Sequence, residues 1–390
     1  MTNLAKTLIS VPTYWTYEEG KEDRENSIYD HPTPLNQDGT LFRLLESLKV
    51  IEGVEFGVLV VSTATNPELK KAVETKVDKI IEPFKGVFPI AQFSFNDLEM
   101  LKKRLSNSGI RKEMASLRGY GNIRNIQLIS AQIIGAQVIV GLDDDEIITD
   151  KNYLKKIWEF VGKEHDGEFV GSIAGFYRNK EGSNKVSKGE TKSKNIFDNK
   201  PKIMDKAVEI VEKKRDRLVE TNFAYGGNMA IHCKVFQNIP FDPYINRGED
   251  IDYLINTRMA GYHFFLNKEL FIVHLPPAAG SHLPEDLKRF IYERAKIGMT
   301  KEKPELCEFS PESFEPYPGA FLHDDLEEQA LEVLRDHYSA QRVINEAKRY
   351  AQKMLPRYFN FQKEWPHLME VLWDDTVLKT RLKQKMEVSR

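Results

Sequence analysis

The stretch VIVGLDDDEII, residues 138–148, joins a short apolar run rich in β-branched residues to three consecutive aspartates. Such a run is typical of a buried β-strand, so Asp143, Asp144 and Asp145 would stand at the carboxyl end of a strand. Adjacent carboxylates repel one another, and a cation or hydrogen-bond donors would relieve that repulsion. Mg²⁺ and Mn²⁺ prefer oxygen ligands of this kind. For the triplet taken alone, a solvated strand end is the alternative.

Strands and helices alternate upstream of the triplet. In chain order, the pattern indicates a strand over 8–12 that ends at its proline, a helix from Thr40, a strand over 55–65, a helix from Pro67, a strand in VFPIAQFSF and a helix over 124–135. This alternation predicts an α/β fold with a mainly parallel sheet flanked by helices. Such sheets bind ligands at the carboxyl ends of their strands, where the aspartates would lie.

Downstream of the triplet the pattern continues and then changes. It indicates a helix over 152–163, a strand over 168–179, a polar loop over 179–200, a charged helix in IMDKAVEIVEKKRDRLVE and a strand in FFLNKELFIVHL. The polar loop resembles a flexible lid that could order over a bound ligand, with disordered filler as the alternative. The residues beyond 284 are largely helix-forming, with Trp365 and Trp373 as apolar anchors. We therefore predict a catalytic domain over 1–283 and a helical C-terminal region over 284–390.

Composition narrows the class of protein. The 390 residues include 56 Lys and Arg and 59 Asp and Glu, for a net charge of −3, which disfavours a nucleic-acid partner. The N-terminus lacks the apolar core of a signal peptide, and no apolar run has the length of a transmembrane segment. With only two cysteines, these features predict a cytoplasmic protein. A C-terminal region rich in aromatic and basic residues leaves peripheral membrane contact and a homo-oligomer open.

Two further segments carry residues suited to a site. In YGGNMAI, Gly226 and Gly227 precede a short strand, where the absence of side chains allows close backbone approach to a ligand or a sharp turn. In RGEDIDYL, Glu249 and Asp250 lie at a predicted helix N-terminus, whose dipole stabilises ionised carboxylates. Ordinary turn glycines and ordinary helix capping are the alternatives.

Basic residues supply the remaining candidates. Arg118 and Arg124 flank the segment RGYGNIRN just before the triplet strand, a plausible anion-binding element or an ordinary surface loop. His274 ends a predicted strand in FIVHLPP, where its imidazole could ligate a metal, pair with an anion or be structural.

The order of these segments resembles the GT-A glycosyltransferases, and most closely the large inverting glycosyltransferase family 2. The matching features are a strand ending VPTY, a strand VLVVSTA, the arginine and glycine segment, LDDDE, GGNMAI, RGEDIDYL and a strand-end histidine. The resemblance covers about residues 7–277, and the region beyond it matches no family. It implies a GT-A (Rossmann-like) fold and transfer of a sugar, as in a hexosyltransferase, from a nucleotide-diphosphate sugar to an acceptor hydroxyl.

The resemblance implies a donor site at the triplet. Asp145 and Asp143 match the outer acids of the family's DxD motif, which hold Mn²⁺ or Mg²⁺ and the nucleotide, and Asp144 is its variable middle. Pro12 and Tyr14 match the end of the first strand, where the nucleotide base packs. UDP- and GDP-sugars are the donor classes that the family favours.

The resemblance also implies roles for the other candidates. Arg124, with Arg118 nearby, falls where the family places a residue beside the nucleotide, and His274 resembles an additional metal ligand. Asp250, next to Glu249, matches the general base that deprotonates the acceptor. The two glycines of YGGNMAI would border the donor sugar and the acceptor.

Alternatives remain at this point. Retaining GT-A enzymes share the DxD motif without an aspartate base, so inversion depends on GED alone. The long insertion over 27–48 can reshape the nucleotide edge. A nucleotidyltransferase would also use an acidic metal site, but VPTYWTYEEG lacks its basic, glycine-rich signature. A sugar-nucleotide or glycan-binding module without turnover is the non-enzymatic alternative. The acceptor cannot be named from the sequence.

Overall fold

The computed structural model describes residues 6–21, 28–187, 193–276, 283–333 and 337–387, and its sheet is organised around a central strand, β1 (Thr7–Thr16). Strands β3 (Phe56–Ala64) and β5 (Val138–Gly141) pair with β1 in parallel, and β4 (Ile90–Phe93) continues the sheet beyond β3. On the other side, β11 (Met229–His232) runs antiparallel between β5 and β9 (Ser172–Arg178), and β12 (Phe264–His274) lies parallel to β9. The sheet is therefore mixed and mostly parallel, as the sequence predicted.

Short strands complete the architecture. They are β2 (Thr33–Pro34) beside β1, β6 (Glu146–Ile147) and β10 (Leu218–Glu220) beside β12, and the separate pair β7 (Glu164–His165) and β8 (Glu168–Phe169). The antiparallel pairing of β6 with the end of β12 brings the residues after the aspartate triplet next to His274.

Alternate residues of β3 face two different cores. Leu59 and Val61 pack with residues of α4 (Tyr120–Ile134), whereas Val58 and Val60 pack with residues of α1 (Leu41–Ser47) and α2 (Lys70–Ile81). A strand buried on both faces needs an apolar residue at nearly every position, which explains the continuous run VLVV. Helices therefore cover both faces of the sheet, as predicted.

The other helices follow the chain. They are α3 (Phe95–Asn107), α5 (Tyr153–Trp158), α6 (Lys200–Lys213), α7 (Cys233–Phe236), α8 (Glu249–Met259), α9 (Leu283–Gly298), α10 (Leu326–Val333), α11 (His337–Asp374) and α12 (Thr376–Met386). No helix in the described part of the chain combines the length and the apolar character needed to cross a membrane. Helix α3 was not predicted from the sequence, although Ser94 and Asp97 form a capping box at its start.

Strand β1 is longer than predicted, since it continues past Pro12 to Thr16. Proline lacks a backbone N–H and was expected to end the strand. The carbonyl of Ser10 accepts from Leu142 N on the β5 side, and Pro12, two residues on, faces the same side. Pairing with β5 stops at Ser10, so the missing N–H costs no sheet hydrogen bond.

The C-terminal helices join the core around α4. Trp365 is fully buried, and its indole nitrogen donates to the carbonyl of Phe236 at 2.8 Å, as expected of an anchor. Trp373 is 48% exposed, so the prediction that it anchors the helices was wrong. It stands near the end of α11, where Lys379 lies over its ring, 4.5 Å from the ring centroid. The domain boundary between 283 and 284 stays a prediction.

The polar loop over 179–200 is tied to α6 where the structure describes it. Asp205 of α6 accepts from the backbone nitrogens of Val186 and Ser187, at 2.7 and 3.3 Å. Residues 188–192 lie outside the described ranges. The lid assigned to this loop therefore stays a prediction.

Candidate active site

A cavity of about 420 Å³ opens at the carboxyl ends of β1, β5 and β12. Most residues singled out from the sequence line it, namely Tyr14, Arg124, Asp143, Asp144, Asp145, Gly226, Glu249, Asp250 and His274. Tertiary structure thus brings the triplet, the glycine turn and the GED segment to one place, as a sheet with ligands at its strand ends should.

Arg124 connects the two acidic motifs. Its Nη2 donates to Asp143 Oδ1 at 2.8 Å, and its Nε donates to Glu249 Oε1 at 3.2 Å. The side chain extends from α4 and lines the cavity, but it is only 5% exposed. Burial opposes its positive charge, but Asp143 and Glu249 outweigh burial and raise the pKa of Arg124. One cation therefore sets the spacing between the triplet and the GED segment.

The three aspartates have different surroundings. Asp143 bonds Arg124, Asp144 accepts from Thr13 Oγ1 at 2.7 Å, and Asp145 Oδ2 lies 3.4 Å from His274 Nε2. Burial, with the charges of Asp145 and Asp143, raises the pKa of Asp144 to about 7 despite the Thr13 hydrogen bond. The middle aspartate is thus held by β1 and is poorly suited to carry full charge. The outer two are the better ligands.

Asp143, Asp145 and His274 are the residues of this cavity that could hold a cation. Two carboxylates and an imidazole are oxygen and nitrogen donors that Mn²⁺ and Mg²⁺ accept, and Mg²⁺ typically completes its shell with phosphate oxygens and water. Within the described residues, no three His, Cys, Asp or Glu side chains are already grouped as a complete metal site. The residues fit a cation that shares its ligands with a bound diphosphate.

Glu146 is a residue that the sequence analysis missed. It is fully buried, its Oε2 accepts from Asp143 N at 2.9 Å, and its Oε1 has no partner among the described residues. Burial, with the charges of Asp143 and Asp145, raises its pKa well above the ordinary value. Its signal was the last letter of LDDDE, an acid placed where a strand pairing buries it. Glu146 shapes the turn that presents the aspartates.

The glycine turn is built around Glu146 and Tyr177. A Cβ on Gly227 would lie 1.8 Å from Glu146 Oε1, and Gly227 N donates to the Tyr177 hydroxyl at 2.8 Å. Gly227 is buried and is required by close packing, whereas Gly226 lines the cavity. The Tyr177 ring stacks on Tyr225 at 4.2 Å between centroids, and its hydroxyl lies 3.4 Å from Asp143 Oδ2.

The GED segment begins α8 at a left-handed glycine. Gly248 has φ +69°, and a Cβ there would lie 2.1 Å from the guanidinium of Arg289, so only glycine fits. Asp250 lines the cavity and accepts from Gly226 N at 3.2 Å and from Ile251 N at 2.8 Å. Glu249 points inward to Arg124, and burial raises its pKa to about 7, with Arg124 opposing the rise. The two adjacent acids therefore occupy unlike environments.

The carboxyl end of β1, where the resemblance placed the nucleotide base, is packed against other aromatic side chains. Tyr14 packs against Tyr29 of the insertion, with ring centroids 4.5 Å apart, and against Tyr120 at 5.4 Å. Pro12 is buried within β1 and lines no described cavity. Arg118 is exposed and lines a neighbouring cavity of about 1190 Å³ instead. The insertion thus covers part of the edge where the resemblance placed the base.

Three basic side chains that line the cavity were also missed in the sequence. Lys200 of α6, Arg247 of the loop before α8 and Arg289 of α9 line the cavity, together with Tyr225 and Tyr317. Lys200 and Arg289 stand in no local motif, whereas Arg247 is the first residue of RGEDIDYL, a segment in which only the acids were singled out. We call Lys200, Arg247 and Arg289 the cationic wall, and Asp143, Asp144 and Asp145 the acidic edge.

Comparison with known proteins places the fold. No family model matches the sequence, and no curated protein matches it. Among solved structures, the mannosyltransferase PcManGT from Pyrobaculum calidifontis, in complex with GDP-Man and Mn²⁺, aligns with a TM-score of 0.50 at 13% identity, covering 98% of this chain and 88% of that one. S. aureus TarS aligns at 0.42 with 14% identity over 92% and 55%, and GalNAc-T7, with UDP, GalNAc and Mn²⁺, at 0.42 with 12% over 94% and 59%. The chain has the GT-A fold of glycosyltransferases.

Proposed function

We propose that the protein is a metal-dependent glycosyltransferase that moves a sugar from a nucleotide-diphosphate sugar to an acceptor hydroxyl with inversion. The supporting observation is the pairing of Arg124 with both Asp143 and Glu249. It holds an acidic metal-binding edge and a candidate base, Asp250, at one cavity on the strand ends of a GT-A fold. Both parts of an inverting transfer then line the same cavity.

The acidic edge would hold the donor. Asp145, Asp143 and His274 would bind Mn²⁺ or Mg²⁺, which supplies positive charge where negative charge develops on the leaving diphosphate. Thr13 and Arg124 position the aspartates from the strand and the helix beneath. In PcManGT the bound donor is GDP-Man with Mn²⁺, which supports a hexosyl donor for this fold. We propose UDP- or GDP-hexoses as the first donors to test.

Asp250 is our choice of general base. Its two backbone hydrogen bonds fix the carboxylate, yet it faces the cavity, whereas Glu249 is buried against Arg124. In the proposed step the acceptor oxygen bonds to the anomeric carbon while Asp250 takes its proton. The bond from that carbon to the diphosphate oxygen breaks, and the leaving group keeps the electron pair. Correct placement of these groups supplies much of the rate.

A nucleotide screen tests the proposal first. Thermal unfolding would be followed with uridine, guanosine, cytidine, adenosine and thymidine diphosphates, each with and without Mn²⁺. We expect one nucleotide to stabilise the protein only when Mn²⁺ is present, because the cation links the aspartates to the diphosphate.

Asp145→Asn should weaken nucleotide binding in the presence of Mn²⁺ by at least about 100-fold, because it removes a charged ligand. The metal-dependent thermal stabilisation should fall accordingly. Asp166→Asn is the matched control, because that side chain is 90% exposed and lies outside the cavity. If no nucleotide binds with Mn²⁺, or if both variants behave alike, the donor site is assigned wrongly.

A further inference from the structure

The cationic wall faces the cavity from three separate elements, and none of its members serves the donor roles described above. Lys200 comes from α6, Arg247 from the loop before Gly248, and Arg289 from α9. Cations gathered from distant parts of a chain cost desolvation energy and repel one another. Their placement beside a substrate cavity therefore needs either internal counter-ions or a ligand.

Internal counter-ions are present but shared. Asp286 accepts from Lys200 Nζ at 2.5 Å and also lies 3.9 Å from Arg247 Nε, so one carboxylate serves two cations. Arg247 pairs in addition with Asp30 at 2.6 Å. Burial lowers the pKa of Lys200, and the charges of Arg289 and Arg247 lower it further against the opposing effect of Asp286. The three cations therefore lie close enough to affect one another, although each has a carboxylate partner in Asp286, Asp30 or Glu293.

Arg289 supplies the independent observation. Its side chain is only 4% exposed, its Nε donates to Glu293 at 2.8 Å and its Nη1 donates to the Tyr317 hydroxyl at 3.2 Å. Its Nη2 has no hydrogen-bond partner among the described residues. Arg289 also lines the cavity, and the planar set of donors on a guanidinium matches the oxygens of a carboxylate or phosphate.

The wall lies beside Asp250, which lines the same cavity. The guanidinium of Arg289 covers Gly248, and the Asp250 carboxylate is among the charges that raise the pKa of Arg289, although burial opposes the rise. Asp250 in turn accepts from Gly226 N. A group bound at the wall would sit next to the proposed base, where an acceptor must be.

We propose that the acceptor carries an anionic oxygen group, a phosphate or a carboxylate, which Lys200, Arg247 and Arg289 bind while its hydroxyl reaches Asp250. This inference rests on the proposed function for the word acceptor. The binding site itself does not depend on it. An anionic acceptor would give these three cations a further partner at the point where they line the cavity.

Calorimetric titration with inorganic phosphate and with acetate tests the wall on the full chain, without nucleotide or metal. We expect one of the two anions to bind, and Lys200→Met and Arg247→Met each to weaken it about tenfold, as loss of a charged hydrogen bond does. Lys200→Arg should restore binding. Lys288→Met is the control, since Lys288 precedes Arg289 on α9 but lines a different cavity.

A second titration separates acceptor from donor. With Mn²⁺ and the nucleotide that the screen identifies, the bound anion should leave nucleotide affinity within about twofold if the two sites are separate. Competition between anion and nucleotide would assign the wall to the donor and overturn the proposal. Unchanged anion binding in Lys200→Met and Arg247→Met, with only lower melting temperatures, would also overturn it, because the cations would then merely hold α9 in place. A failed nucleotide screen would refute the proposed function and leave the anion result standing.

Discussion

The acidic edge and the cationic wall line the same cavity but are encoded differently in the sequence. The edge is a continuous run of three residues at the end of β5. The wall is assembled from α6, a loop and α9, and no short segment contains it. The repulsion between the aspartates of the edge is partly offset within the protein, because Arg124 donates to Asp143 and Thr13 donates to Asp144. Chemistry written in one segment can be read from sequence, whereas chemistry assembled by tertiary packing cannot.

The largest effect on turnover should come from Asp250, which lines the same cavity as both regions. We expect Asp250→Asn to lower kcat by about 1,000-fold, because a general base contributes 100- to 10,000-fold, while nucleotide affinity with Mn²⁺ stays within about twofold. Steady-state kinetics with the identified donor and calorimetry with the nucleotide measure the two quantities. This result would assign the edge to the donor and leave the other side for the acceptor.

Glu249→Gln is the informative partner variant. Glu249 bonds Arg124 below the cavity, so its loss should disturb nucleotide affinity as well as turnover. If Glu249→Gln reproduced the pure kcat defect and Asp250→Asn did not, the base would be Glu249. If both variants lost nucleotide affinity equally, the GED segment would be a structural part of the edge.

A second prediction concerns how much the pairing of Arg124 with Asp143 and Glu249 stabilises the folded protein. Arg124→Met would leave Asp143 and Glu249 without their buried cation, so we expect the free energy of unfolding to fall by about 3 to 5 kcal/mol. Urea denaturation of the protein without ligand measures this. Arg342→Met is the control, because its partner Glu346 and the pair as a whole are exposed, and no measurable change is expected.

The opposite result would be equally clear. A small loss of stability in Arg124→Met, recovered on adding Mn²⁺, would show that the edge depends on a bound cation and that Arg124 merely accompanies it. The self-neutralised edge described above would then be incorrect.

The sequence carried much of the fold because periodicity and turn residues act locally. The strand VLVVSTA and the helix following Pro67 were correctly predicted from such patterns. The end of β1 was predicted wrongly at Pro12. Whether the missing N–H of a proline matters depends on where the neighbouring strand stops, and β5 stops pairing at Ser10. Trp373 was taken for an anchor because composition does not reveal which face of a helix is covered.

The same distinction holds for the site. The triplet and GED were found as motifs, and the structure places them on one cavity. Glu146 was overlooked although it stands in LDDDE, because its burial arises from the pairing of β6 with β12. Arg289 was beyond reach, since its position over Gly248 depends on how α9 packs against α8. Residues whose role comes from a distant element leave no local signal.

The smallest expected effect tests the counter-ion of the wall. Burial raises the pKa of Glu293 from the ordinary 4.5 to about 7, and the charge of Arg289 opposes this rise. Between these two values the folded protein binds a proton that the unfolded chain has released, so the wild-type free energy of unfolding should fall as pH rises through that window and level off above it. Glu293→Gln lacks this ionisation and should lose less stability over the same range. Urea denaturation between about pH 5 and about pH 8 measures the difference.

Glu305→Gln, whose side chain is 65% exposed, serves as control and should follow the wild type. A constant difference between Glu293→Gln and wild type would mean that Glu293 stays ionised throughout, and the positive charge of Arg289 would then be fully matched without any ligand.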